Sequence, residues 1–282
     1  MTRPALLALA ALAVGAQSVA AQTYQTITES RRVDASKPLA VDVTFAAGRL
    51  ALRPAEGTDM YRVGLKYIEN VFDPTIQYDP AGHSLAIKVE GHGHTDLKDS
   101  DTWKQQLDLD LPRDVPLDLT MEFGAVKGDM DLGGLTLRSA SIKTGASETS
   151  IGFSSPTRGS CNRLEFEVGA AQFEAEQLGN SGCRFVSLTG AIGKMVLDFD
   201  GDALWKGEMH AAIKVGLGEV TLRIPESVGI RLDATRFLAA FDKAHLEKRG
   251  SAYFSPNYDS ASAKLIIDLN ATLGSIDIER ID

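Results

Sequence analysis

From about Leu117 to Ile278 apolar and polar residues alternate, and the alternation changes phase at regular intervals. Leu119, Met121 and Phe123 lead into Gly124, and the apolar positions then resume at Val126, Met130 and Leu132. Leu164, Phe166 and Val168 lead into Gly169, followed by Ala171, Phe173 and Ala175. Ile213 and Val215 precede Gly216, with Val220, Leu222 and Ile224 after it. Gly145 lies between Ile142 and Ile151/Phe153, and Ala191 between Leu188 and Leu197/Phe199. The anchors Gly124, Gly145, Gly169, Ala191 and Gly216 are spaced 21, 24, 22 and 25 residues apart. Alternation is the mark of a strand with one buried face. A period of this length marks stacked units that share one core.

The change of phase has a physical reason. Side chains alternate with a period of two, so one extra residue moves every later side chain to the other face. A chain that turns a corner needs that extra residue to keep its apolar side chains in the same core. Glycine at the anchor suits the positive φ that such a corner often requires. The pattern predicts an all-β fold, an elongated β-solenoid or single-layer stacked β-repeat with units of about 21–25 residues. An ordinary β-sandwich explains the matching offsets less well. With 7% aromatic residues, the chain lacks the girdles of a membrane-spanning barrel.

The same grammar is present earlier, where Val41, Val43 and Phe45 enter Ala46-Ala47-Gly48 and Leu50 and Leu52 leave it. Strands are expected at Tyr61–Tyr67, Thr75–Tyr78, Ser84–Val89 and Leu107–Leu111. Asp73-Pro74 and Asp79-Pro80-Ala81-Gly82 supply turns between them. Gly91 to Gln106 reads as a polar excursion. The only helical candidates, Thr102–Leu107 and Ala239–Leu246, are short. Towards the end the corners are expected near Thr235 and Thr272, and Glu247 to Ser262 reads as a polar loop. The organisation expected is an export signal at 1–21, a less regular β part at 22–116 and a regular repeat part at 117–282. The last two form one elongated domain.

The export signal is read from the apolar run Ala5 to Ala16, the basic residue Arg3 and the small residues Val19-Ala20-Ala21 before Gln22. The run is shorter than the roughly 20 apolar residues of a membrane span, and no later segment reads as a transmembrane helix. After cleavage 28 basic side chains face 38 acidic ones. This balance disfavours nucleic acid and anionic lipid as partners. Cys161 and Cys183 each lie eight residues before an anchor, Gly169 and Ala191. They should therefore occupy equivalent places on neighbouring units, about 4.8 Å apart, within reach of a disulfide in an oxidising compartment. They lack the close C-x-x-C spacing of a redox pair.

Leu111-Pro112-Arg113-Asp114-Val115-Pro116-Leu117 leading to Phe123-Gly124-Ala125 and Leu132-Gly133-Gly134-Leu135 resembles the toast-rack proteins. So do Gly216-Leu217-Gly218-Glu219-Val220-Thr221-Leu222-Arg223-Ile224-Pro225 with Val228-Gly229-Ile230, and Leu273-Gly274-Ser275-Ile276. That family comprises exported or membrane-tethered bacterial β-repeat proteins, similar to the extracytoplasmic domain of LiaF-like envelope-stress regulators and to adhesin repeats. The resemblance covers essentially the whole chain after the signal. It implies a single-layer or narrow β-solenoid and brings no catalytic residues. LiaF-like regulators carry transmembrane helices before the β domain, which this chain does not show.

Five features carry candidate chemistry. His92-Gly93-His94 could place two imidazoles on one face for zinc or copper, or be a surface loop. Asp198-Phe199-Asp200-Gly201-Asp202 resembles a calcium loop, but its glycine is fourth instead of sixth and position twelve is Met209. A tight turn explains it more simply. Gly124-Ala125-Val126-Lys127-Gly128-Asp129 lacks the signature of a phosphate loop. Asp131, Lys143, Lys194 and Arg223 face outward by phase, where a polysaccharide-acting β-helix enzyme would keep its charges. Trp205, Tyr253, Phe254 and Tyr258 could form a binding patch for glycan or protein, or cap the open end of the stack. No cofactor is expected. The reading is a non-enzymatic exported envelope protein, periplasmic or extracellular. It would be a binding or adhesion scaffold for an envelope protein or glycan. The alternatives are a carbohydrate-active β-solenoid enzyme and a periplasmic envelope-stress sensor.

Overall fold

The computed structural model describes residues 23–56, 59–92, 102–202, 205–241 and 246–282. The expected export signal, His94 and most of the polar excursion after Gly91 lie outside these residues. Among the described residues there is one open sheet of 15 strands, arranged as a β-solenoid. Its body is a stack of long parallel strands: β2 (Leu39–Pro54), β7 (Leu117–Asp131), β8 (Leu137–Gly152), β9 (Cys161–Glu176), β10 (Cys183–Asp198), β11 (Gly207–Pro225) and β15 (Ala263–Ile281). The last long strand, β12 (Gly229–Phe241), pairs with β15.

Each long strand is folded over a corner. In β7 the buried residues Leu117, Leu119, Met121 and Phe123 are followed by two successive outward positions, Gly124 and Ala125, before Val126 and Met130 turn inward again. Both halves thus face one core, which the turn after the strand closes with Leu132 and Leu135. The equivalent turns of the next units contribute Phe153, Leu178 and Phe199. These turns stack through backbone bonds from Leu132 to Gly152, Phe153 to Glu176 and Phe199 to Arg223, at 2.8, 3.2 and 2.8 Å. Buried Asn180, in a 3-10 turn after β9, donates to the Phe153 carbonyl at 3.0 Å. Truncating a core ring such as Phe166, which packs 5.1 Å from Phe173 across the corner, would cost about 3–5 kcal/mol.

The corners share one register. Phe123 pairs with Thr144 and Thr144 with Val168, so Gly124, Gly145 and Gly169 lie side by side, followed by Ala191, Gly216 and Thr272. The reason for glycine differs from the expected one. None of the anchor glycines has a positive φ. A β-carbon on Gly169 would instead lie 2.8 Å from the Gly145 carbonyl oxygen, and one on Gly216 2.7 Å from that of Ala191. Positive φ occurs two residues later, at Gly193, Gly218 and Gly274 (141°, 151° and 130°), which form a column of their own.

The C-terminal end adds one feature the pattern did not address and corrects two expectations. The units do not stack in chain order, because β15 inserts between β11 and β12. The register with β15 sets the β12 corner two residues beyond Thr235, opposite Thr272. Glu247 to Ser262 is not wholly loop, since β13 (Glu247–Arg249) and β14 (Ala252–Phe254) form a hairpin whose second strand pairs with Arg231 and Leu232 of β12.

At the other end, two short strands pair in parallel with β2, and antiparallel strands follow beyond them. β2 divides its partners: its first half pairs with β5 (Ser84–Gly91) and its second with β6 (Gln106–Leu111). β4 (Phe72–Asp79) hairpins with β5, and β3 (Met60–Ile68) continues from β6 to the edge strand β1 (Tyr24–Arg32), which the sequence pattern did not mark. Fully buried Tyr61 donates its hydroxyl to Glu29 at 2.7 Å, and burial with that bond raises its pKa.

Candidate binding groove

Beyond the corner, the outward residues of the second half-strands stand in rows. One row runs Gln106, Arg49, Lys127, Glu148, Gln172 and Lys194 across β6, β2, β7, β8, β9 and β10. The row two residues further along runs Asp108, Ala51, Asp129, Ser150, Glu174 and Val196. Between them lies an open groove of about 590 Å³, floored by the backbone of Leu50, Gly128, Thr149 and Phe173. Six strands at a spacing of about 4.8 Å give it a length of roughly 24 Å along the stack.

The two walls differ in sign. The first carries Arg49, Lys127 and Lys194 against one carboxylate, Glu148. The second carries Asp108, Asp129 and Glu174 and no cation. Many of these charges are held. Lys127 pairs with Glu148 at 3.0 Å, Lys194 with Glu219 at 3.6 Å and Glu174 with Arg223 at 3.3 Å, while Arg53 pairs with Asp129. Each is well exposed, so the pairs contribute little to stability, at most about 1 kcal/mol each. They fix side-chain positions instead. At the β7 side, the Trp103 ring lies 5.4 Å from the Lys127 ammonium.

Past the second wall lies an acidic neighbourhood. Partial burial, then the charges of Glu174 and Asp198, raise the Glu176 carboxyl above its ordinary value. Asp198 is raised as well, first by burial, although its Oδ1 accepts a bond from the Asp200 amide at 2.8 Å. Arg223 lies among these groups and also meets Glu279 at 3.2 Å; that hydrogen bond raises its pKa.

The sequence-predicted residues divide between this region and elsewhere. Lys194 lines the groove and Arg223 braces its wall through Glu174. Asp131 holds a turn, accepting from the Gly133 and Ser154 amides at 2.9 and 3.1 Å. Lys143 is on the other half of β8, paired with Glu167 at 3.1 Å. Gly124 to Asp129 is continuous strand. Asp198 to Asp202 begins with an Asx-type turn closed by the Asp198 carboxylate. His92 lies with Nε2 2.7 Å from Asp73 Oδ1. Among the described residues, no group of three or more His, Cys, Asp or Glu side chains is arranged to hold a metal.

Trp205, Tyr253, Phe254 and Tyr258 come to the C-terminal end of the stack, away from the groove. Trp205 donates Nε1–H to the Lys264 carbonyl at 3.0 Å, and the Lys264 ammonium lies 5.0 Å from the Tyr258 ring. Phe254 and Tyr258 meet edge to face at 5.0 Å, with Arg249 over Phe254. Trp205 and Tyr253 pack against the core. A separate apolar row, Ile192, Leu217 and Leu273, is 52%, 42% and 43% exposed at the corner, where two successive residues must face outward. The Cys161 and Cys183 sulfurs are bonded, joining directly paired residues of β9 and β10 whose Cα atoms are 4.2 Å apart.

The model for the N-terminal domain of toast_rack matches residues 17–176, more than half of the chain. The chain belongs to the toast-rack family. In this toast-rack protein, residues 172–278 also match the model described as cell wall-active antibiotics response LiaF, C-terminal. A comparison with curated proteins found no match. Among solved structures, the chain is similar to a "putative cell adhesion protein" from Clostridium sporogenes. The identity is 16% over 91% of this chain and 100% of that one, with a TM-score of 0.47. A "putative adhesin" from Bacteroides fragilis is similar at 10% identity over 90% and 97% of the two chains, with a TM-score of 0.41. Among the described residues no helix is long and apolar enough to cross a membrane.

The groove itself was not singled out from the sequence. Its residues are ordinary alternating charges, and only the register between strands turns them into two walls of opposite sign. Lys194 was marked as an outward charge, and Lys127 and Asp129 only as part of the Gly124–Asp129 segment that lacks a phosphate-loop signature.

Proposed function

We propose that this toast-rack protein is an exported, non-enzymatic scaffold of the bacterial envelope that binds a partner along its charged groove. One observation carries the reading: an open groove of about 590 Å³ that crosses six strands and is lined by ion-paired side chains without a histidine or cysteine. A general base matched to neutral pH is most often histidine. Paired and exposed charges suit recognition better than proton transfer. Export is supported by the apolar N-terminal run and by the Cys161–Cys183 disulfide, which persists in oxidising compartments. The match of residues 172–278 to a cell wall-active antibiotics response model supports an envelope setting, and also a second reading as a sensor of envelope stress.

The test is capture from an envelope extract. Purified mature protein should retain an envelope component, and the variant with Lys127→Gln and Glu174→Gln together should lose it. Equal capture by both proteins would remove the groove from the function. N-terminal mass analysis of protein recovered after secretion should show a start at Gln22. Retention in the cytoplasm with an intact Met1 would overturn export.

A further inference from the structure

The groove's shape and charge pattern say more about its ligand. We propose that it takes an uncharged, linear, β-1,4-linked oligosaccharide whose chain axis lies along the stack, an inference that rests on the binding-scaffold reading above.

Shape gives the first constraint. A trough about 24 Å long and only two residues of strand wide, about 7 Å between rows, suits an extended polymer rather than a compact molecule.

Charge gives the second. The cations of one wall and the carboxylates of the other are mixed and mostly ion-paired, so a polyanion finds no uniform positive field along the groove and meets carboxylates across it. A polycation meets the reverse. A neutral chain of hydroxyl groups pays neither penalty, and each hydroxyl both donates and accepts. It can donate to the carboxylate wall while accepting from the cationic wall, in bonds that a charged partner strengthens.

Spacing gives the third. In the second wall, the carboxylates stand on β6, β7 and β9, with Ala51 and Ser150 between them on β2 and β8. One acceptor on every second strand repeats at about 9.6 Å, close to the two-sugar repeat of a flat β-1,4-linked chain. Such a chain presents the same hydroxyl edge once per two sugars. The Trp103 ring, 5.4 Å from the Lys127 ammonium of the cationic wall, offers an apolar surface for a sugar ring beside the groove.

The experiment titrates the purified mature protein with cellohexaose and chitohexaose, following tryptophan emission and calorimetric heat, with polygalacturonate and an oligolysine peptide as charged probes. Saturable binding of a neutral hexaose is expected, with at least about tenfold weaker binding in Glu174→Gln and in Lys127→Gln. Lys143→Gln, on the other half of β8, should bind as wild type does. Asp129→Asn provides a second wall variant should Glu174→Gln melt early. Tighter binding of either charged probe than of both hexaoses overturns the inference. So does the absence of hexaose binding while Lys127→Gln and Glu174→Gln together still abolish capture from envelope extract; in that case the scaffold reading stands with a protein partner. Loss of both the hexaose signal and the groove-dependent capture overturns the two together.

Discussion

The thioether of Met195 occupies the space that a β-carbon on Gly190 would need. These residues flank the β10 corner, Gly190 in the last inward position before it and Met195 in the second inward position after it. In β7 the equivalent positions hold the opposite pair, Phe123 and Gly128. In β10 the size lost at Gly190 is supplied by Met195 from the other half-strand, whereas the side chains nearest Gly128 are Thr149 and Met130.

This exchange predicts a strong coupling. Gly190→Ala should destabilise by about 1–3 kcal/mol through overpacking, and Met195→Ala by about 2–5 kcal/mol through a cavity. The double variant should lose less than their sum, by at least about 1 kcal/mol, because the new methyl enters the space the thioether leaves. Urea unfolding of all four proteins checks this. Strict additivity would mean that the two side chains do not share one space.

The two glycine columns should differ in tolerance. Gly216 lies in the column that already holds Ala191, so that column accommodates a β-carbon in a neighbouring unit. Gly218, with φ at 151°, has its missing β-carbon directed into the Gly193 carbonyl. Gly216→Ala should therefore lower stability by roughly 1–2 kcal/mol, and Gly218→Ala by more than about 3 kcal/mol or to the point of no soluble product. Expression yield with thermal melting decides it. Equal losses would show that close approach, and not backbone conformation, sets the cost in both columns.

Much of this fold was readable as pattern, because its devices are periodic. The phase change at Gly124, Gly145, Gly169, Ala191 and Gly216 appears in the structure as one row of corners, and Cys161 faces Cys183 because both stand eight residues before that row. What escaped depends on contacts between distant segments. The insertion of β15 ahead of β12 leaves no trace in either strand's alternation, since both present the same apolar face. The exposed strand β1, YQTITESRR, has too few apolar residues to declare itself. The groove walls needed the register of six strands, and a residue such as Asp129 gains its partner across the sheet from Arg53, 76 residues away.

The disulfide closes a separation of 22 residues. Constraining an unfolded loop of that size contributes about 3 kcal/mol. Reduction, or Cys161→Ala with Cys183→Ala, should lower the melting temperature by several degrees while leaving the strand signal in circular dichroism unchanged. Mass analysis of the unreduced mature protein should find both thiols blocked; free thiols in protein recovered from an oxidising compartment would contradict the pairing.

The acidic neighbourhood beside the groove predicts an unusual sign for one carboxylate. Asp198 is raised above its ordinary value of 3.8, chiefly by burial, so the folded state holds its proton more tightly than the unfolded chain does. As pH rises from below 3.8 through the folded pKa, the unfolded state releases the proton first, and this group's contribution shifts against folding. It favours folding fully only in acid. Asp198→Asn removes the buried charge and keeps an oxygen to accept from the Asp200 amide. At neutral pH the variant should melt at or above the wild-type temperature, and its advantage should shrink as pH falls through the folded pKa and be gone below 3.8. Melting curves from pH 3 to 8 measure the difference. A variant that is less stable at neutral pH, by an amount that grows with pH, would show that attraction to Arg223 outweighs burial at this site.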